Sequence, residues 1–281
     1  MREDRRHMLE SARGLPRAVA KPPRMAGFRR FGILASALLV FSGLAAIRAI
    51  ADSTTAGVSI VLVHGQHTEQ GGAADAPLIP APVLSVSQRM RRFEFFAEGI
   101  PPLRSYPVGT NTLGIQAISL SFAQATARYW NRYGTLGAGV GDTLYNQQTT
   151  YLGWASPTFS NGQYDASRVA GARYELLGNL PLAGGRAVEA SLAVNPSLHG
   201  RAGWTNYETV SGATTTYALP SASERGSQIE AILQLCRQTG RLRWRYGVRY
   251  LNYVAHFDDG SLADRNVFLM PFIGIDRFLG P

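Results

Sequence analysis

Period-two alternation of apolar and polar residues runs through most of the chain after residue 82 and is clearest from Glu224 to Phe257. Ile229, Ala231, Leu233 and Leu235 alternate there with Gln228, Glu230 and Gln234. After the turn Gln238-Thr239-Gly240-Arg241, Leu242, Trp244, Tyr246, Val248 and Tyr250 alternate with Arg243, Arg245 and Arg249. Successive side chains of a strand point to opposite faces, so this pattern predicts a hairpin with one apolar and one charged face. Arms of about a dozen residues exceed the usual soluble strand of about five or six. They are long enough to cross a bilayer at a tilt, for which about nine to eleven residues suffice.

The same pattern predicts arms near 83–98, 113–127, 132–147, 166–180, 186–200, 224–238, 241–257 and 265–278. Their connections alternate in length. Those at 129–131, 181–185 and 239–240 are short, whereas 99–112, 148–165, 201–223 and 258–264 are longer and rich in Gly, Ser, Thr, Asn and Pro. Outer-membrane barrels have short periplasmic turns and longer extracellular loops. The expected fold is therefore all-β: an antiparallel, up-and-down transmembrane β-barrel of eight strands over residues 83–281, with both chain ends in the periplasm. A bulge is expected where the phase breaks at Arg89 to Arg92. Val58 to Val63 reads as a further strand, but counting it breaks the even number. Residues 52–82 are therefore expected to form a periplasmic N-terminal segment, with a ninth arm as the alternative.

The faces agree from arm to arm. Val188, Ala190, Leu192 and Val194 oppose Glu189, Ser191 and Asn195; Ala170, Ala172, Tyr174 and Leu176 oppose Arg173 and Glu175; Leu136, Ala138 and Val140 oppose Gly137, Gly139 and Gly141. Ile118, Leu120 and Phe122 belong to the apolar face in the second arm. An eight-stranded interior is just wide enough for side chains to fill. Arg173, Glu175, Glu189, Glu230, Arg243, Arg245 and Arg249 are expected to fill it as a paired network, since an unpaired buried charge costs several kcal/mol. Alternation alone leaves open which face is inside. A soluble, lipocalin-like periplasmic carrier, with the apolar face around a ligand, is the competing architecture. Aromatics are expected at two rims, among them Tyr129, Trp130 and Trp244 on the periplasmic side and Tyr145, Tyr207 and Tyr253 on the outer side.

The N-terminal segment changes the reading of charge. A basic stretch, the apolar run Phe31 to Ile47 and Ala49-Ile50-Ala51 read as a secretory signal peptide over residues 1–51, with an extended n-region or a start at Met25. Those 51 residues hold ten of the 28 Lys and Arg and three of the 19 Asp and Glu, leaving 28 − 10 = 18 bases and 19 − 3 = 16 acids, a net of +2. The pI near 10.0 is thus mostly a property of the leader and is no evidence for nucleic-acid binding. All 18 remaining bases are Arg, whose planar fork suits a confined interior opposite Glu. A single cysteine, Cys236, excludes an intramolecular disulfide.

Motifs for chemistry are sparse. Ile60 to Gly65 has the strand and His-Gly turn of an α/β-hydrolase, but the chain has no G-x-S-x-G. His64 and His67 lack a third ligand at useful spacing, so no metal and no cofactor is expected. His256, Ser261 and Asp258 lie close in sequence; resembling the lipid A deacylases, such an arrangement could form a base, nucleophile and orienting acid facing the outer leaflet. Asp258, Asp259 and Asp264 could instead bind Ca²⁺ weakly.

The pattern resembles the small bacterial outer-membrane β-barrels, the group that includes the transmembrane domain of OmpA, OmpX and OmpW. The resemblance covers about 83–278 and rests on architecture; the tail Leu279-Gly280-Pro281 after Phe278 departs from the terminal aromatic common in that group. It implies location in the outer membrane of a Gram-negative bacterium, with outer-membrane lipid, lipopolysaccharide and the barrel-assembly machinery as partners. The function expected is structural or surface-binding, with a closed ion-paired lumen and loops 148–165 and 201–223 exposed. The alternatives are an outer-leaflet lipid hydrolase and a narrow channel.

Overall fold

The computed structural model describes residues 53–69, 72–101, 106–107, 115–156 and 158–279. The leader expected at 1–51 lies outside them. Twelve strands follow in order: β1 (Ser53–Glu69), β2 (Gly72–Met90), β3 (Phe93–Ile100), β4 (Tyr106–Pro107), β5 (Ile115–Trp130), β6 (Leu136–Ala155), β7 (Phe159–Leu182), β8 (Arg186–Val210), β9 (Ala213–Ala218), β10 (Ala222–Thr239), β11 (Leu242–Phe257) and β12 (Leu262–Phe278). Ten of them run in the order β10-β11-β12-β1-β2-β3-β5-β6-β7-β8, and pairing of β8 with β10 closes the ring. The short β4 pairs with β5 and β9 with β8. Every pairing is antiparallel, so the fold is a closed barrel, and an even count puts Ser53 and Phe278 at the same end.

The barrel has ten strands, not eight, and both extra strands come from its N-terminal part. Residues 52–82, expected outside the wall, supply β1 and much of β2; β1 pairs with β12 from Thr55↔Phe278 to Thr68↔Arg265. The arm expected at 83–98 is in fact a hairpin. Met90 pairs with Phe93, and Arg91 takes the left-handed conformation (φ 54°) that reverses the chain. The break in phase at Arg89 to Arg92 is thus a turn rather than a bulge. Bulges occur elsewhere: β1 and β2 slip between Val63 and Gly65, and β7 and β8 between Ala170 and Tyr174.

The hairpin over Glu224 to Phe257 forms as its pattern predicts, with pairing from Glu224↔Phe257 to Thr239↔Leu242. Gly240 at φ 59° supplies the positive φ that the tight turn needs. Pro271 sits at the one gap in the β1–β12 register, between Val61↔Phe272 and His64↔Leu269, as expected of a residue with no N–H to donate to the ladder.

The apolar face points outward around the ring. Val58, Ile60, Leu84, Phe95, Val140, Leu176, Leu192, Ile229, Leu233, Tyr246 and Ile273 are all exposed, while Arg173, Glu175, Glu230 and Arg249 are buried inside. A ligand pocket lined by the apolar set, as in the lipocalin-like alternative, is therefore excluded. The second arm is inverted relative to expectation: Ile118, Leu120 and Phe122 face the lumen, where Leu120 and Phe122 pack with Val61, Val83, Tyr145, Phe268, Met270 and Phe272 in one apolar layer and Ile118 packs with Ala74. The rim aromatics divide likewise. Tyr129, Tyr133 and Trp244 are exposed at the end of the short turns, but Trp130, Tyr145, Tyr207 and Tyr253 are buried inside. Segments 148–165 and 201–223, expected as loops, largely continue β6, β7, β8 and β9 beyond the apolar band, with Phe159 still paired to Val210.

Candidate functional site

The lumen is the site to consider, because strand alternation delivers charged side chains to it from every side. Near the short-turn end they join into two chains of contacts. In the first, Arg128 Nε donates to Glu175 Oε2 and Arg173 Nε to Glu175 Oε1, each at 2.8 Å; Arg173 Nη1 donates to Glu230 Oε2 at 3.1 Å. Arg249 Nε stands 3.4 Å from Glu230 Oε1, and Arg249 Nη2 reaches Glu98 on β3. In the second, Arg243 donates to Glu189 at 2.9 Å and to Asp276 at 3.0 Å, and Arg245 Nη2 lies 2.9 Å from the other Asp276 oxygen. Glu98 on β3 and Arg249 on β11 are four strands apart in the ring, so the first chain crosses the interior rather than following the wall.

All seven charged residues expected in the lumen lie in these two chains. Glu94, Glu98, Arg128 and Asp276 join them, beyond the residues the sequence pattern predicts. Alternation could have found Glu94 and Glu98 had the β2–β3 turn been visible, since they share a face with Phe96 on β3. Cys236 faces the same interior and is buried. A cavity of about 190 Å³ lies here, lined among others by Thr55, Ser59, Arg128, Arg173, Asn179 and Asp276.

Toward the other end, past the apolar layer, a second polar cluster occupies the lumen. His67 on β1 is fully buried; its Nδ1 meets Asn266 Oδ1 at 2.7 Å and its Nε2 meets Glu69 Oε1 at 2.7 Å. Asp264 Oδ1 is 3.7 Å from the same Nε2 and accepts from Gln147 Nε2 at 3.1 Å. The Tyr151 hydroxyl donates to the Glu69 carboxylate, and Asn266 Nδ2 donates to Gln147 Oε1 at 2.8 Å. One atom each from His67, Glu69 and Asp264 lies within 4.8 Å of the others, so these three form the set of ligands for a cation that the described residues offer. His64, the partner considered from sequence, is exposed on the outer face and cannot join His67.

The catalytic candidates do not come together. Ser261 donates through its hydroxyl, at 2.6 Å, and its amide, at 2.8 Å, to Asp259, and these bonds hold the Asp259 carboxyl below the usual range. Asp258 faces Arg225 at 3.5 Å, and His256 is exposed on the outer face of β11. A Ser–His contact that sequence reading missed is Ser197 Oγ to His199 Nε2 at 2.7 Å, also on the outer face. A bulge at Asn195 to Leu198 creates it, by turning two residues of β8 outward in succession.

No family model matches the chain, and no curated protein is similar to it at a significant level. The solved structures similar to it include small outer-membrane β-barrels. The toluene transporter TodX of Pseudomonas putida is 11% identical, with 81% of this chain and 89% of that chain covered and a TM-score of 0.34. Neisserial surface protein A is 11% identical over 80% of this chain and 96% of that one, with a TM-score of 0.29. The outer-membrane protease OmpT of Escherichia coli is 11% identical over 82% and 97%, with a TM-score of 0.30.

Proposed function

We propose that the protein is a barrel of a bacterial outer membrane whose lumen is closed, and whose role is structural or surface-binding rather than conductive. The supporting observation is an interior crossed by side chains, which leave a cavity of about 190 Å³ near the short-turn end. Ten strands enclose a wider lumen than eight, which by itself favours a channel. Here, however, the width is taken up by the Glu175–Arg173–Glu230–Arg249–Glu98 chain and by the apolar layer of Phe122, Phe268, Met270 and Phe272. The outward apolar face suits hydrocarbon, and a closed ring leaves no strand edge unpaired in lipid. Export through the N-terminal leader and insertion by the barrel-assembly machinery complete this reading.

The test is electrical. Purified protein in planar bilayers is expected to give no discrete conductance steps at physiological salt. Regular steps from single insertions would overturn the closed lumen and make the channel the working function. The hydrolase alternative has its own check: lipid A and phospholipid incubated with the protein, with and without Ca²⁺, are expected to remain intact by mass spectrometry.

A further inference from the structure

Beyond the apolar band, the outer surface of four adjacent strands carries a row of basic residues, three of them arginines. Arg168 on β7 pairs in register with Arg201 on β8, His199 on β8 with Arg225 on β10, and Arg225 with His256 on β11. All five are exposed. Directly opposed side chains have Cβ atoms about 4.5–5.5 Å apart, and like charges directly opposite destabilise a sheet, as the Arg168–Arg201 pair does. Arg225 stands 3.5 Å from Asp258, but both side chains are exposed, at 74% and 57%, where such a pair is weak. Among the described residues no carboxylate pairs with Arg168 or Arg201. The β8 bulge sets this arrangement: below it Leu192 and Val194 face out, and above it the phase changes so that His199 and Arg201 face out rather than into the lumen.

The height of the row indicates its occupant. On β7 the outward residues Leu180, Leu176 and Tyr174 lead up to Arg168, 180 − 168 = 12 residues above the lowest of them. At about 3.3 Å per residue and a tilt of about 40° that is roughly 30 Å, just past an apolar band about 25 Å tall. In an outer membrane, arginines at this level, continuous with a lipid-facing surface, would stand at the depth of the outer-leaflet head-group phosphates.

We propose that Arg168, Arg201 and Arg225, with Ser197, His199 and His256 around them, bind the phosphates of a phosphorylated glycolipid whose acyl chains lie along Tyr174, Leu176 and Leu192. Guanidinium forks hold phosphate oxygens two at a time, and the anion relieves the opposed charges of Arg168 and Arg201. The proposal rests on the outer-membrane reading above, and its test separates the two.

The full chain is refolded in neutral detergent, and folding is scored by a heat-shifted band on unboiled SDS gels. Diphosphoryl lipid A, lipid A stripped of both phosphates, and sodium phosphate are then titrated while the thermal midpoint is read. Diphosphoryl lipid A is expected to raise the midpoint at concentrations where the stripped lipid and sodium phosphate do not. Arg168→Gln with Arg201→Gln is expected to keep the heat shift and weaken the lipid A response roughly tenfold or more. Should the double variant fail to fold, Arg225→Gln, tested alone, is expected to weaken the response in the same direction. A heat-shifted protein that responds equally to both lipids, or whose folded variants respond like the wild type, overturns the site. Saturation by sodium phosphate at the same concentration overturns the lipid source. Absence of any heat-shifted band contradicts the barrel reading itself and the proposal with it.

Discussion

Glu230→Ala is expected to destabilise the barrel by about 3–5 kcal/mol, read as a lower urea midpoint for the heat-shifted band. Glu230 is 2% exposed and stands between two cations, accepting from Arg173 at 3.1 Å and lying 3.4 Å from Arg249. Deleting it leaves both guanidinium groups buried with their charge under-compensated, and desolvation rather than the lost contact sets the size of the effect. Glu230→Gln keeps the shape and an acceptor without the charge, so an intermediate loss is expected. Asp258→Ala removes half of an exposed pair with Arg225 and is expected to cost no more than about 0.5 kcal/mol. Equal costs at Glu230 and Asp258 would mean that the luminal chain does not hold the wall together.

Leu176→Arg is expected to cost about 2–4 kcal/mol, the penalty for a cation on the lipid face near mid-bilayer. Leu176 is 63% exposed on β7 and pairs with Leu192 on β8 and Ala138 on β6, so its surroundings are the outward apolar surface itself. Tyr217 on β9 is also exposed, at 53%, but belongs to the extension beyond the band; Tyr217→Arg is expected to change stability by less than about 0.5 kcal/mol. In a soluble protein the two substitutions would be equally cheap.

Period-two alternation carried most of the wall from Leu136 onward, because toward the short-turn end most of these strands have large apolar residues on the lipid face and small or charged ones inside. It misled where other physics intervened. Pro77, Pro80 and Pro82 obscured β2, and the β2–β3 turn uses Arg91 and Arg92, with no Gly, Asn or Pro to mark it. In β5 the upper half sends Ile118, Leu120 and Phe122 inward, the last two to the apolar layer, so its pattern ran opposite to its neighbours. The outer ends of β7 and β8 have Ser, Thr, Asn and Gly on both faces, and looked like loops. The charged lumen was legible because Arg and Glu recur at one parity. The His67, Glu69 and Asp264 cluster was not, since it joins strands adjacent only after the barrel closes between β1 and β12.

The most direct test of a closed barrel with its apolar face in lipid is expression of the chain with its leader in a Gram-negative host, followed by membrane fractionation and SDS gels with and without boiling. The account predicts recovery in the outer-membrane fraction with a band that shifts on heating. A soluble periplasmic protein without a heat shift would contradict it.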